Sequence, residues 1–350
     1  MSTAYGILAV LAAFLLLIGS HEAGHFSVAK LFRVRVHEFS IGFGNKIASS
    51  VRGGTIYALR AIPLGGYVRL GGMEPGEYDL EDGFHRKPAY QRLLVLLAGP
   101  LANFITASIL VALLLLPTSS TTGAILVVEG GSPAAAAGIK PGVVIVSANG
   151  QALNGDVAKM RALEAQTNGA PLNLVVQEQN GTQRSVTVKP NYDKNQRTYV
   201  IGVVPSPTPG EALKSALAYP WLTIKDIGTG IWQLVTGQVP GGLGGPNGVT
   251  GPIGISVATY SAAEQGVDSY LEILALLSVA LGVTNLLPLP ALDGARIAVV
   301  LIEAVRRRPL NRDREMAVQR YGLVALMALI VVIGYLDVSR LVNHQFPGSP

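Results

Sequence analysis

The chain contains no cysteine. That excludes a disulfide framework, thiolate metal ligation and a thiol nucleophile, so any metal has to be held by His, Asp or Glu. Charge is also scarce: 14% of the 350 residues are charged and 49% are hydrophobic, with a mean hydropathy of +0.40. A soluble domain carries about 25% charged residues, so a chain this apolar belongs in or against a membrane. Basic residues exceed acidic ones by 27 to 22, yet they are spread over loops, with no lysine-rich tail and no interleaved aromatics. Nucleic-acid binding has no support in that pattern.

What the sequence does have is long apolar runs, and a bilayer core takes about 20 such residues as a helix. Tyr5 to Ile18 is one, continuing through Gly19 and Ser20 into His21. Leu93 to Pro117 and Ile273 to Leu292 carry no charge, although Pro288 and Pro290 should break the last turn of the latter. Tyr321 to Leu336 is shorter and lies between Arg320 and Asp337. A signal peptide is the alternative for the first run, but residues 1–4 hold no Lys or Arg and no A-x-A cleavage site follows, so a retained helix is expected. Ten Lys and Arg residues separate the first two runs and seven arginines the last two. The positive-inside rule makes both loops cytoplasmic and puts the N-terminus, the 118–270 segment and the C-terminus outside.

The expected class is a polytopic α-helical membrane protein with about four transmembrane helices, a β-hairpin loop and an inserted β-rich domain. A first helix covers 1–30, a cytoplasmic-side loop 31–92 and a second helix 93–117. Strand-like stretches at Ala124–Val128, Leu172–Gln177 and Arg184–Val188 mark an extracytoplasmic domain over 118–206. Within 207–269, Pro209 to Val235 (with Leu217, Tyr219, Trp221 and Trp232) suits an amphipathic helix at the outer interface, and a buried soluble helix fits nearly as well. Val239 to Pro252 is too poor in side chains to build a core and reads as a Gly/Pro-rich linker. A third transmembrane segment over 270–295, a basic loop over 296–320, a fourth helix over 321–338 and a tail over 339–350 complete the chain.

His21-Glu22-Ala23-Gly24-His25 is an HExxH sequence. On a helix, positions i and i+4 share a face, so both imidazoles can reach one zinc while Glu22 faces its bound water. Chance would produce the pattern about 0.003 times in a chain of this composition. Ionisable groups inside a span are costly and are usually functional. At about 1.5 Å per residue, His21 lies on the order of 25 Å along a helix starting near Thr3, inside the bilayer towards its cytoplasmic side. The substrate is then in the membrane too.

A catalytic zinc takes three protein ligands and keeps one position for water. Of the other histidines, His37, His85 and His344, none lies in an expected span, so a carboxylate at membrane depth is the better third ligand. Asp293 qualifies, after the prolines of Asn285-Leu-Leu-Pro-Leu-Pro-Ala-Leu-Asp293-Gly294. An N-cap role for Asp293 in a following helix is the alternative.

HEAGH in the first span, NLLPLPALDG in the third and Leu97-Ala-Gly-Pro-Leu-Ala-Asn103-Phe104 in the second resemble the site-2 protease family of intramembrane zinc metalloproteases, RseP type. The similarity extends to Glu38-Phe-Ser-Ile-Gly42-Phe43-Gly44, Ile62-Pro-Leu-Gly65-Gly66-Tyr67-Val68 and Thr250-Gly-Pro-Ile-Gly254. It implies that His21, His25 and Asp293 bind Zn2+, that Glu22 is the general base and that Asn285 positions the substrate, a helix–helix hydrogen bond being the plainer role for that amide. The 38–72 segment resembles the family's membrane-dipping β-loop, in which Gly42, Phe43, Gly44, Gly66 and Tyr67 would pair with an unwound substrate by strand addition. An exposed hairpin is the simpler reading.

Ser132 to Gly150 resembles the core of a PDZ domain, with Val143 replacing the usual acidic residue, and one such domain fits the available length. A helix near Val157–Gln166 would line its groove with Val157, Met160 and Leu163 beside a strand near Gly123–Val127. Capture of trimmed substrate ends and exclusion of bulky ectodomains both remain open. The resemblance implies transmembrane protein substrates in a bacterial inner membrane, with anti-sigma factors or remnant signal peptides as classes, and an upstream site-1 type protease. A proteolytically inactive PDZ scaffold is the second reading, against which the intact His21, Glu22, His25 and Asp293 weigh. An ion transporter would want an inverted repeat and a polar path, and neither is present.

Overall fold

A computed structural model describes the chain apart from residues 1–2, 120–123, 154–155, 179, 195–196, 241, 243–244, 246–247 and 344–350. It divides into two compact units, Met1–Val111 with Ala218–Pro350 and Ala112–Leu217. The first unit opens with helix α1 (Thr3–Leu31), which has no acidic or basic side chain before His21 and Glu22. Strands β1 (Val36–Arg52) and β2 (Thr55–Leu70) follow, then a single 3₁₀ turn at Phe84–Arg86 and helix α2 (Ala89–Leu115).

The β1–β2 pair is wider than the expected hairpin. Val36 to Ile41 lie antiparallel to Gly66–Leu70, Glu38 to Ile41 also run beside Ile56–Leu59, and Lys46 to Arg52 return along Thr55–Arg60. Two bent strands thus lay four arms side by side. The bend in β1 falls at Gly42, whose φ of +87° is left-handed and whose absent Cβ would stand 2.7 Å from the Ile62 carbonyl oxygen, so glycine alone fits there.

The second unit holds β3 (Ile125–Val128), the one-turn helix α3 (Pro133–Ala136), β4 (Val144–Ala148), β5 (Gln151–Ala152), α4 (Val157–Gln166), β6 (Leu172–Gln177), β7 (Gln183–Val188), β8 (Asn191–Asp193), β9 (Thr198–Val200) and β10 (Val203–Pro205). A sheet of order β5-β4-β6-β7 is joined by the pairs β10-β3 and β8-β9. Period-two alternation drives it: Leu172, Leu174 and Val176 of β6 are buried with Ile125, Ile145 and Val188 in one core. Met160 is buried in that core rather than lining an open groove as expected, and the partly buried Leu163 packs against it. The Val157 side chain and Gly123 lie outside the described residues.

Helix α5 (Pro209–Val235) covers the stretch expected to be helical and leaves Leu217, Trp221, Ile231 and Trp232 exposed. Helices α6 (Pro252–Gln265), α7 (Val267–Leu286), α8 (Asp293–Arg306) and α9 (Arg312–Val342) follow. Three of these correct the sequence reading. The stretch after the Gly/Pro-rich segment is helical as α6, and most of the expected basic loop over 296–320 is α8 and the start of α9. Helix α9 also runs past Asp337 into the expected tail. Asp337 is fully buried and accepts from the backbone N–H groups of Gly251 (3.0 Å) and Gly254 (2.9 Å), satisfying the free donors at the start of α6. Arg340 accompanies it and donates to the Val249 carbonyl at 2.7 Å.

Helices α1, α2, α7 and α9 are long and apolar enough to cross a membrane. Half of the most apolar stretch of α2 is buried within the protein, against 6% for α9, which makes α2 the central span and α9 a peripheral one.

Candidate metal centre

Helical spacing places His21 and His25 one above the other on α1, with ring centroids 4.8 Å apart. Gly24 lets α1 approach α2 closely: a Cβ there would overlap the Ala98 carbonyl oxygen. Gly99 of α2 does the same for the imidazoles, since a side chain at 99 would occupy the space of both rings. Asp293 arrives from the other side of the sequence. Helix α7 stops at Leu286 before the prolines, and the Leu287–Leu292 segment turns back with Ala291 at a φ of +73°. The Ala291 N–H is held by the Gln319 side-chain oxygen of α9 at 2.6 Å. Asp293 is the first residue of α8 and its carboxylate caps nothing, so the N-cap alternative does not apply. Gly294 has no room for a Cβ against the Leu286 and Leu287 carbonyls.

The result is a small triangle. Asp293 Oδ2 lies 3.1 Å from His21 Nε2 and 3.2 Å from His25 Nε2, and the two Nε2 atoms are 3.2 Å apart. Ligands at about 2.0–2.2 Å from a tetrahedral zinc stand about 3.3–3.6 Å from one another, so this triangle is close to one face of such a tetrahedron. Both imidazoles are buried and the Asp293 side chain is 17% exposed. Among the described residues, His37 pairs with Glu77 and His85 packs on Phe84 and Tyr78, so neither joins the group; His344 lies outside the described residues.

The remaining ring nitrogens decide which lone pairs are free. His25 Nδ1 donates to the Val95 carbonyl at 2.8 Å, which directs the lone pair of Nε2 at the triangle. His21 Nδ1 faces the side-chain amide of the fully buried Asn103 at 3.2 Å. An Nε2 lone pair directed at the triangle requires the proton on His21 Nδ1. The amide then has to be turned by a half-turn from Nδ2 facing His21, so that Oδ1 accepts from Nδ1–H and Nδ2 faces Ser20 Oγ, 3.3 Å from the other amide atom. Ser20 in turn donates to the Leu17 carbonyl at 3.1 Å. Sequence reasoning noted the Asn103 motif without giving that residue a role. A side-chain amide in a charge-free span was the available signal, because polar groups in an apolar helix need a partner.

Glu22 lies beside the triangle and against β2: the Val68 N–H is directed at its carboxylate, and a Cβ at Gly66 would stand 3.6 Å from Glu22 Cγ. The structure therefore brings Gly66 to the centre, with Tyr67 next to it stacked on Phe43 at 6.3 Å. Gly42 and Gly44 sit at the bend of β1. Asn285 lies in the last turn of α7, where its amide donates to the Leu281 carbonyl at 3.0 Å within the same helix.

Residues 9–329 match the family described as Peptidase family M50. The chain belongs to Peptidase family M50. Among its relatives, this M50 peptidase is 30% identical to the zinc metalloprotease RasP of Geobacillus kaustophilus, covering 97% of this chain and 99% of the relative. It is 29% identical to the regulator of sigma-W protease RasP of Bacillus subtilis, over 94% and 98%. A Clostridium acetobutylicum protein whose name includes the words zinc metalloprotease is 33% identical over 97% and 99%.

Proposed function

We propose that this M50 peptidase is an intramembrane zinc metalloprotease that hydrolyses peptide bonds in the transmembrane segments of single-pass proteins already trimmed by another protease. The observation that carries this reading is the convergence of three ligand atoms from α1 and α8 amid four membrane-length helices. His21, His25 and Asp293 hold the metal. A zinc ion bound there would supply a water of pKa about 7 and polarisation of the scissile carbonyl. Glu22 takes the proton of the attacking water and gives it to the leaving amine. Asn103 and the Val95 carbonyl keep the two imidazoles in the tautomer that binds.

A helix is a poor substrate because its carbonyls are already hydrogen-bonded, so the scissile segment has to be extended. The Gly66–Leu70 arm passes Glu22 and is an outer arm of the sheet, and a substrate strand added along it would lie at the general base. Gly42, Phe43, Gly44, Gly66 and Tyr67 shape that arm, and Asn285 holds a substrate main-chain group once released from Leu281. The β-rich unit is a PDZ-like domain on the extracytoplasmic side, with both termini on that side and the active site towards the cytoplasmic face of a bacterial inner membrane. Anti-sigma factors and remnant signal peptides are the substrate classes, the first in keeping with a Bacillus relative named regulator of sigma-W protease, and a site-1 type protease acts upstream.

The test is Glu22→Gln against a detergent-solubilised transmembrane substrate, with zinc content measured in parallel. Cleavage should fall by about 10²–10⁴ with zinc retained. Unchanged cleavage would remove Glu22 from the mechanism.

A further inference from the structure

Behind the Leu287–Leu292 segment, in the elbow between α8 and α9, lies a cavity of about 530 Å³ that the peptidase chemistry does not use. Its walls are apolar, built from Pro288, Pro290, Ala298 and Val318, and Arg306 and Arg314 stand on it. Both arginines are exposed, and neither makes a salt bridge among the described residues. Glu315, the carboxylate on the wall, is already held by Arg312 at 3.0 Å. The cavity therefore offers two uncompensated guanidinium groups at the mouth of an apolar slot.

Its depth in the bilayer follows from the helices. Helix α9 is about 46 Å long, against about 30 Å for a hydrocarbon core, and its charges sit in the opening turns from Arg312 to Arg320 and again at Asp337 and Arg340 near its far end, while Tyr321 to Leu336 carry none. Those opening turns stand at the headgroup level. Helix α8 is amphipathic, with Leu301, Ile302 and Val305 exposed opposite its buried Glu303, as a helix lying in the interface would be. Basic pockets between helices at that level select anionic headgroups.

We propose that this cavity binds one anionic phospholipid of the surrounding bilayer, its phosphate between Arg306 and Arg314 and an acyl chain along Ala298, Val318 and Pro290. The cavity wall is also the segment that delivers Asp293. Pro288 and Pro290 line the cavity, Gln319 on its wall holds Ala291, and Asp293 follows two residues later. A bound lipid braces that segment from behind and keeps Asp293 at the imidazoles. This second step rests on the metal-site reading; the lipid site itself does not.

The experiment uses the full chain in detergent, titrated with dioleoyl phosphatidylglycerol or dioleoyl phosphatidylcholine and read by native mass spectrometry. One phosphatidylglycerol per chain should be retained at least tenfold better than phosphatidylcholine. The double variant Arg306→Ala/Arg314→Ala, and separately Ala298→Phe, which fills the slot, should abolish the preference, while Arg307→Ala/Arg308→Ala, outside the cavity, should keep it. Equal retention of the two lipids, or a preference that survives both cavity variants, overturns the site. In vesicles, 20% phosphatidylglycerol should raise cleavage several-fold over pure phosphatidylcholine for the native chain and not for the cavity variants. A preference in binding without that rise overturns the coupling to Asp293 alone.

Discussion

The two ends of α8 bury carboxylates in opposite ways. At Glu303 every oxygen meets a donor: Arg92 Nη1 at 2.7 Å, Arg312 Nη1 at 2.7 Å and the Leu310 N–H at 2.7 Å. With Glu315 also on Arg312, two guanidiniums balance two carboxylates. At Asp293 the neighbours are imidazole nitrogens, one of which is left as a lone pair by its ring partner's bond to Val95. Acceptors facing acceptors are complete only around a cation. Burial of a charge is therefore no mark of a functional site, whereas convergence of lone pairs is. Glu164 on α4 is a third case, buried with, among the described residues, one long hydrogen bond from the Ile201 N–H (3.4 Å).

The largest test of this contrast is a pair of substitutions. Asp293→Ala should empty the site of zinc and abolish cleavage, while Glu303→Ala should leave the metal in place, as measured by metal analysis of the purified chains. Equal zinc loss in both would mean that the metal site depends on α8 as a whole rather than on its first residue. Glu303→Ala should instead cost about 3–5 kcal/mol in stability, since the buried Arg92 loses its partner and Arg312 keeps only Glu315. Burial alone would raise the Glu303 pKa, but the hydrogen bonds from Arg92, the Leu310 N–H and Arg312 outweigh it and hold the group below the ordinary carboxylate value. Its contribution is present above the unfolded pKa and disappears as pH falls through the folded one, so acid should loosen the α2–α8–α9 junction.

Glu164 should respond with the opposite sign. Burial raises it to about 7, with the Ile201 N–H and Arg161 only partly offsetting that. The folded form then binds more protons than the unfolded one between about pH 4.5 and 7, and the β-rich unit should lose on the order of 3 kcal/mol across that window as pH rises. Hydrogen exchange of the β6 amides, corrected for intrinsic rates, reads this in the full chain. Glu164→Gln should flatten the dependence, and a native profile in that variant would assign it elsewhere. Smallest is Asn103→Leu, which removes the His21 partner and should weaken zinc binding by 10–100-fold with the fold intact. A competition titration with a chelator measures it.

The convergence of His21, His25 and Asp293 was legible where the chemistry repeats at helical spacing. His21 and His25 announce themselves as i and i+4, and Asp293 is the carboxylate left when the other histidines fall outside the spans. Less could be read where a residue's partner is remote. Asp337 looks like the charged end of a span, because the N–H groups it satisfies belong to Gly251 and Gly254, more than eighty residues earlier. Helix α8 was hidden by its own arginines, which made a basic stretch look like a loop although it buries Glu303 on one side and exposes Leu301 and Val305 on another. The width of the β1–β2 sheet was hidden too, since one strand pairing with two arms of its neighbour leaves no mark in composition. In the β-rich unit the alternation of β6 was plain, but alternation does not say whether Met160 faces a groove or a core.

The distance along the chain between the halves of the triangle has a consequence during synthesis. His21 and Asp293 are 272 positions apart, and translation delivers them in that order. A ribosome-bound chain can insert α1, fold β1 and β2, and complete the whole β-rich unit before Asp293 exists. If the triangle holds the metal as proposed, hydrolytic competence would come late in synthesis, and chains that end before α8 would be inert towards neighbours in the membrane.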